Sequence, residues 1–434
     1  MRCFDSDQGL RERMERDMES GVLEGGTGLR SVPSRIAVFG LFGIENFGND
    51  GSMEAMRHFL KRECPDAQLT VICPQPEVVE RTYSVSALRT NLLGPSGWLF
   101  WLLDRLLLRV PRMVDLLMRT ISNARKIDLL VVPGTGILEE PSHRLTRMHW
   151  TLLLWCAAAK VTGKKIAFVS VGAAPINSAA ARLVLKTALG MAHYRSFRDE
   201  SSRRCAKEFY GVKVEGDPVY PDIVFGLPEP GGLARVTPKD GHSLSVGLGP
   251  MGLWWWYGDE VQKSYVDKLV DFSLSLVRKG YRIRLLVGDK ADYGTVDDFI
   301  RAILDKDPSL LGDSIIAEYI VCAQDLMRQI ALTDLVICSR FHNIVYALKQ
   351  GKPVVSLGYS PKHRALMEEV GLGEFIQAAH QIDVPLLEKQ FLALLKDRKT
   401  YEQSIQQAIA RFQELRGQQE QILSTRFLGS GMVR

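Results

Sequence analysis

The chain has 434 residues, 46% of them hydrophobic, with 55 Lys and Arg against 50 Asp and Glu. That length supports two or three domains with cores of their own, and ordinary Gly and Pro contents exclude collagen-like, low-complexity and disordered classes. A formal net charge of +5 suits anionic small molecules or an acidic membrane surface and is too small to argue for nucleic acid, which is not an expected partner.

Residues 1–34 mix charge with the Gly-rich run GVLEGGTGLRSVPS and show no hydrophobic period, which predicts a mobile extension and no secretory signal. Arg35–Phe42 is a continuous apolar run ending beside glycines, as expected of a strand buried on both faces of a parallel sheet. The loop GIENFGNDGS follows, then a helix expected to begin near Ser52. Residues 92–121 (LLGPSGWLFWLLDRLLLRVPRMVDLLMRTI) form a dense apolar segment broken by Asp104, Arg105, Arg109 and Arg112. Four charges make a membrane span too costly, leaving a helix packed on the sheet or one whose apolar face dips into a membrane interface. Further strands are expected at Leu69–Cys73, Asp128–Val132 and Lys165–Gly172, with a helix over Ala179–Met191. Strands alternating with helices imply a doubly wound parallel sheet.

Between Pro221 and His242 the prolines and glycines mark the linker, bounded here as 229–242. A second α/β pattern then runs over residues 243–385. Its strands are expected at Ser243–Leu248, Tyr281–Val287, Asp334–Cys338 and Pro353–Leu357, its helices at Val261–Lys279, Leu326–Leu332 and His342–Gln350. A helical tail, 386–434, has no domain of its own to cover. The expected organisation is thus an N-terminal domain over 35–228 and a C-terminal domain over 243–385, with the ligand in the cleft between them.

Several segments carry candidate chemistry. In the loop after the first strand, Asn46, Gly48 and Asn49 precede a helix whose free N–H groups and dipole favour an anion; a plain turn with Ser52 as N-cap is the alternative. Gly134, Thr135 and Gly136 follow the strand DLLVV, and Gly172 ends the next one, at the edge where open α/β sheets bind ligands. Arg198, beside a strand end, can offer a guanidinium fork to a carboxylate or phosphate, or pair structurally with an Asp; Asp199 or Ser201 can cap the next helix. The sharpest feature is Cys338-Ser339-Arg340-Phe341-His342-Asn343, between the strand DLVIC and a helix. Arg340 and His342 there make an anion site with a group that titrates near neutrality. Tyr359 and Lys362 end the following strand in the same region, and Trp254-Trp255-Trp256-Tyr257 is too aromatic a run to face one core, so a ring is left to stack on a sugar or on the other domain. Seven scattered cysteines without a C-x-x-C pair (Cys3, Cys64, Cys73, Cys156, Cys205, Cys322, Cys338) argue against a disulfide scaffold or zinc ribbon and for a reducing cytoplasm; no metal site is expected.

Taken in order, GLFGIENFGNDGSMEAM, DLLVVPGTGILEE, SVGAAPINSAAARLVLKTALGMAHYRSFRDESS, EGDPVYPDIVFGLP and TDLVICSRFHNIVYALKQGKPVVSLGYSPKHRALMEEVGL resemble the polysaccharide pyruvyl transferase family over most of residues 35–373. The resemblance implies two Rossmann-like domains in a GT-B-like arrangement and transfer of pyruvate from phosphoenolpyruvate onto sugar hydroxyls as a ketal. Position by position, it sets Arg198 and His342 where the family has donor-binding and catalytic residues, with Arg340 beside them. The family's first loop often reads N-T-G-D-E-A, whereas here it is Asn46-Phe47-Gly48-Asn49-Asp50-Gly51-Ser52, so the acidic residue is Asp50 or is replaced.

The expected enzyme uses phosphoenolpyruvate as donor substrate and no cofactor. Arg198 and Arg340 anchor the donor with Lys362 as a third cation, His342 serves as acid or phosphate partner, and Asp50 or Asp199 is the base. The acceptor is a saccharide of a cell-surface or exopolysaccharide pathway, lipid-linked at the inner face of the membrane if residues 92–121 touch it. Two alternatives stand beside this: a GT-B-type glycosyltransferase using a nucleotide sugar, and a non-catalytic saccharide-binding protein on a transferase fold.

Overall fold

A computed structural model describes residues 33–91, 110–134, 136–139, 147–231 and 243–429. Residues 1–32 of the expected extension, the Trp-rich part of the 92–121 segment, Thr135 and residues 232–242 of the expected linker lie outside them.

The first half runs β1 (Arg35–Phe39), α1 (Phe47–Glu63), β2 (Gln68–Cys73), α2 (Pro76–Tyr83), β3 (Ser86–Arg89), α3 (Val110–Ala124) and β4 (Leu129–Pro133), then α4 (Arg147–Val161), β5 (Lys165–Val171), α5 (Ala179–Gly190), β6 (Tyr194–Phe197) and α6 (Glu200–Glu208). The second runs β7 (Ser245–Gly249), α7 (Trp254–Tyr257), α8 (Asp259–Arg278), β8 (Arg282–Leu285), α9 (Tyr293–Lys306), β9 (Ile315–Ile316) and α10 (Ala323–Ala331). It continues through β10 (Leu335–Cys338), α11 (Phe341–Lys349), β11 (Val354–Gly358), α12 (Pro361–Glu369) and β12 (Ile376–Ala378), and ends in α13 (Val384–Lys396) and α14 (Arg398–Leu423).

Each half holds a six-stranded parallel sheet, in the orders β3-β2-β1-β4-β5-β6 and β12-β11-β10-β7-β8-β9. Both reverse direction at one place, between β1 and β4 and between β7 and β10. At such a switch point the two crossovers leave in opposite directions and open a crevice at the strands' carboxyl ends. Alternation builds the layers: Ile36 and Val38 of β1 enter one core, Ala37 and Phe39 the other.

Three expectations change. The first helix begins at Phe47 rather than near Ser52, because Asn46 is its N-cap and accepts the Asn49 N–H at 3.1 Å. Ser52 lies inside that helix, its hydroxyl donating to the carbonyls of Gly48 (3.0 Å) and Gly134 (2.8 Å). The stretch from Pro221 is not slack: Ile223–Gly226 is a 3₁₀ turn, Asp222 caps it by accepting the Val224 N–H, and Ile223, Val224 and Phe225 are buried. The C-terminal tail does have something to cover. Phe412 of α14 packs on Phe225 at 4.9 Å, and Gln419 donates to Ser170 (2.9 Å) and Ser196 (2.8 Å) under the first sheet. Arg62 pairs with Glu420 at 2.8 Å, so the last long helix crosses back to the first half of the chain.

Candidate active site

The loop after β1 meets the second half at the loop after β8 and at α11. Asn46 donates to Asp289 at 2.6 Å, the Phe47 N–H to the Gly288 carbonyl at 3.1 Å, and the Tyr346 hydroxyl to the Phe47 carbonyl at 2.7 Å. Asn49 accepts the Gly136 N–H at 3.2 Å, joining the loops after β1 and β4.

Where these loops meet lies a charged cluster drawn from both lobes. Arg198 follows β6, and its side chain is only 2% exposed. It pairs with Glu139, lies 3.5 Å from both Asp199 and Asp222, and sets its guanidinium 4.8 Å above the Phe341 ring. A bulge in β5 brings the chain there: the register against β6 shifts between Phe168 and Val171, with Ser170 at φ 48°, and Gly172 arrives where an added Cβ would fall 2.4 Å from Glu139 and 2.5 Å from Arg198. From the other lobe, Lys362 in the first turn of α12 reaches Glu139 at 2.6 Å and lies 5.2 Å from the Phe341 ring. His342 stands in the first turn of α11. Its ring presses on the α1 backbone so closely that a Cβ at Gly48 would lie 1.9 Å from Nδ1, and its Nε2 is 3.7 Å from Asp222. Arg198 and His342, from opposite lobes, therefore address one carboxylate.

The electrostatics follow. Burial pushes the Glu139 carboxyl up, but Arg198 and Lys362 outweigh it and hold it at about 2. Asp222 likewise sits below its ordinary range: burial opposes ionisation, and His342 and Arg198 overcome it. The Arg198 guanidinium is held well above its usual value: burial opposes the charge, and Glu139, Asp222 and Asp199 outweigh it. Glu139, Asp222 and Arg198 are thus ionised at neutral pH, and the guanidinium is already partnered by protein carboxylates.

The other expected residues fall as follows. Arg340, the N-cap of α11, does not reach Glu139 or Asp222; Asp292 takes its Nε at 2.7 Å and Nη2 at 2.8 Å, with Asp289 3.4 Å from Nη1. Asp199 is engaged as the α6 cap, accepting the Ser202 N–H at 2.7 Å and the Ser201 and Ser202 hydroxyls. Asp50 is turned toward the Gly43 N–H (2.9 Å) and Tyr83, while His342 lies against Gly48; burial lifts its carboxyl to about 6. Neither acid is free as a base beside the imidazole. Asn343 is fully buried, donating weakly to the Leu286 carbonyl at 3.5 Å. Tyr359 lies beside Lys362, its ring 5.8 Å from the ammonium. Gly134 packs on Ser170, and Gly136 faces open space. Thr135 lies outside the described residues. Among those described, no group of His, Cys, Asp or Glu is arranged to hold a metal.

Sequence reasoning missed Glu139, Asp222, Phe341 and His363. The first two stand in segments that carried the family resemblance, GTGILEE and DPVYPDIVFGLP, but Asp222 was masked by surrounding prolines that read as linker. His363 ties α12 to the neighbouring strand end, with Nε2 3.0 Å from the Ser339 carbonyl, and burial presses its ring down to about 3, so it stays neutral.

Two six-stranded parallel sheets with flanking helices and a polar cluster at their carboxyl edges define a GT-B-like enzyme fold, and solved structures agree. The chain resembles the UDP-GlcNAc 2-epimerase of Neisseria meningitidis, solved bound to UDP-GlcNAc, with a TM-score of 0.56 and 12% identity over 86% of this chain and 93% of that one. A glycosyltransferase from Rickettsia africae gives a TM-score of 0.56 at 11% identity, over 90% and 98% of the two chains. At such identities the likeness shows the fold alone. No curated protein matches by sequence. The polysaccharide pyruvyl transferase profile matches residues 46–361, and the chain belongs to that family. It is a transferase, and its family implies a saccharide acceptor.

Proposed function

We propose that this enzyme moves the pyruvyl group of phosphoenolpyruvate onto two hydroxyls of a saccharide, forming a ketal and releasing phosphate, in the assembly of a cell-surface or exopolysaccharide. The observation that carries the reading is the convergence of Arg198 and His342, from different lobes, on Asp222, with Lys362 beside them. A donor bearing a carboxylate and a phosphate needs two cationic anchors in a site that excludes water. Arg198 and Lys362 supply them once the Glu139 carboxylate, which bridges both, gives way to the donor.

The chemistry then needs one proton delivered and two removed. Protonation of the donor methylene makes a methyl group and an oxocarbenium-like carbon. One hydroxyl oxygen attacks that carbon, phosphate departs with the C–O bonding pair and carries off that hydroxyl's proton, and the second hydroxyl closes the ketal, its proton returning to the group that protonated the methylene. His342 is the acid or phosphate partner, and Asp222 holds its ring. No cofactor is required. Arg340, locked by Asp292, shapes the α11 entrance rather than anchoring the donor.

Incubation with phosphoenolpyruvate and a panel of lipid-linked and aryl glycosides tests this directly. The expected result is a product with a pyruvate mass increment and an equal yield of phosphate. Release of a nucleoside diphosphate from a sugar nucleotide, with phosphoenolpyruvate untouched, would establish the glycosyltransferase reading that the fold also allows. Saturable saccharide binding with no turnover of either donor would establish the non-catalytic one.

A cytoplasmic, lipid-linked acceptor fits one further feature. No helix among the described residues is long and apolar enough to cross a membrane, but α3 exposes Met113, Val114, Leu117 and Met118. A peripheral contact through this face predicts that M113S/M118S weakens co-sedimentation with anionic liposomes, and unchanged partitioning would reject it.

A further inference from the structure

The aromatic run after β7 is not absorbed by the donor chemistry. Trp254, Trp255, Trp256 and Tyr257 are 41%, 68%, 38% and 37% exposed, yet the backbone beneath them is firmly held. Just before them, Met251 and Leu253 are fully buried, and the N–H groups of Met251, Gly252 and Leu253 donate to Tyr265 (3.2 Å), Asp292 (3.0 Å) and Gln262 (2.5 Å). Each ring is also stacked on an aromatic neighbour. Trp254 stacks on Trp255 at 3.8 Å and 25°, Trp256 on Tyr359 at 5.3 Å and 19°, and Tyr257 on His380 at 4.5 Å and 11°.

This surface is continuous with the charged cluster by two routes. Tyr359 lies beside Lys362, which pairs with Glu139 and through it with Arg198. Asp292, which fixes Gly252, is the same carboxylate that clamps Arg340. A ligand whose reacting end meets Arg198 and His342 can therefore extend across Tyr359 and Trp256 to Trp255.

We propose that Trp254–Tyr257 is an extended acceptor subsite that stacks on pyranose rings of an oligosaccharide, beyond the sugar that receives the pyruvyl group; what happens at that sugar rests on the donor reading above. A pyranose presents a face of axial C–H groups between rims of hydroxyls, and a flat indole covers that face without stripping the hydroxyls of water. The flanking charge disfavours a lipid surface: Asp259 and Glu260 follow the aromatic run at once, where an anionic headgroup layer would be repelled.

The test is a tryptophan fluorescence titration of the full chain with glucose and N-acetylglucosamine oligosaccharides of increasing length, with no donor present. The expected result is saturable quenching that tightens with length and weakens roughly tenfold in W255A and again in W256A. Absence of quenching by the whole series, affinity independent of length, equal affinity in the variants, or a response only to phosphatidylglycerol vesicles would overturn the proposal. Because no phosphoenolpyruvate is present, the titration is independent of the donor. Quenching without any pyruvyl transfer would leave the subsite standing and remove the donor reading. Transfer whose KM for long and short acceptors is unchanged in W255A and W256A would do the reverse.

Discussion

Asp222 is the residue on which the two lobes agree. Its Oδ1 is spent on the Val224 N–H, while Oδ2 lies 3.5 Å from Arg198 and 3.7 Å from His342 Nε2. That nitrogen is buried and makes no hydrogen bond; the ring is set by its contacts with the Gly48 backbone and the Phe341 ring, and Asp222 supplies the charge facing it. Asp222 is thus a positioning residue, and D222N should lower kcat about 10- to 100-fold while leaving KM for phosphoenolpyruvate and the melting temperature nearly unchanged. Partial recovery in D222E would support the role; a rise in KM with kcat intact would contradict it. Glycine tells the same story from the backbone side. Gly48 and Gly172 are needed because an imidazole and an ion pair occupy the volume a Cβ would fill, a fact about tertiary neighbours that local sequence does not contain.

Helix α1 carries a second consequence. Asp50 and Glu54 lie one turn apart on it, and burial lifts their carboxyls to about 6 and about 7, with Arg57 only partly offsetting the effect at Glu54 and the Asp50 charge adding to it. A raised carboxyl means that the folded chain binds more protons than the unfolded one, between the ordinary carboxylate range and the raised value. The contribution of this pair to stability therefore falls as pH rises from about 4 to about 7 and levels off above that. E54Q removes one ionisation and should be more stable than the parent by on the order of 2 kcal/mol at pH 8, with little difference at pH 4. Urea denaturation at the two pH values checks this, and an equal offset at both would contradict it. At this scale the sequence was most readable where apolar runs were long: β1, β4, β5, β10 and β11 occupy the runs expected of them. The short strands β3, β9 and β12, two to four residues each, carry too few residues to show a period, and β6 shows only as the strand end beside Arg198. The start of α1 was misjudged because two glycines and two asparagines look like a loop until Asn46 is recognised as the cap.

Across the whole molecule, the same strand order occurs twice, and both switch points open toward one cluster. The arrangement is held by contacts distant in sequence: Asn46 with Asp289, Tyr346 with Phe47, and α14 crossing back to Phe225, Ser170 and Ser196. Strand runs made the fold class legible in the sequence, and of the cations expected there Arg198, His342 and Lys362 lie in one cluster while Arg340 is held by Asp292. Which carboxylates neutralise those cations, Glu139 and Asp222 for Arg198 but Asp292 for Arg340, depends on how the lobes meet, and no local pattern encodes it. In the proposed reaction Arg198 and His342 act from opposite lobes on one doubly anionic donor. Calorimetric titration of phosphoenolpyruvate into the parent chain, R198K and H342A checks this. Saturable binding to the parent, weakened at least about tenfold in R198K because a lysine cannot reproduce the guanidinium fork and weakened or lost in H342A, is the predicted result. Equal affinity in all three, or no binding to the parent, would contradict it.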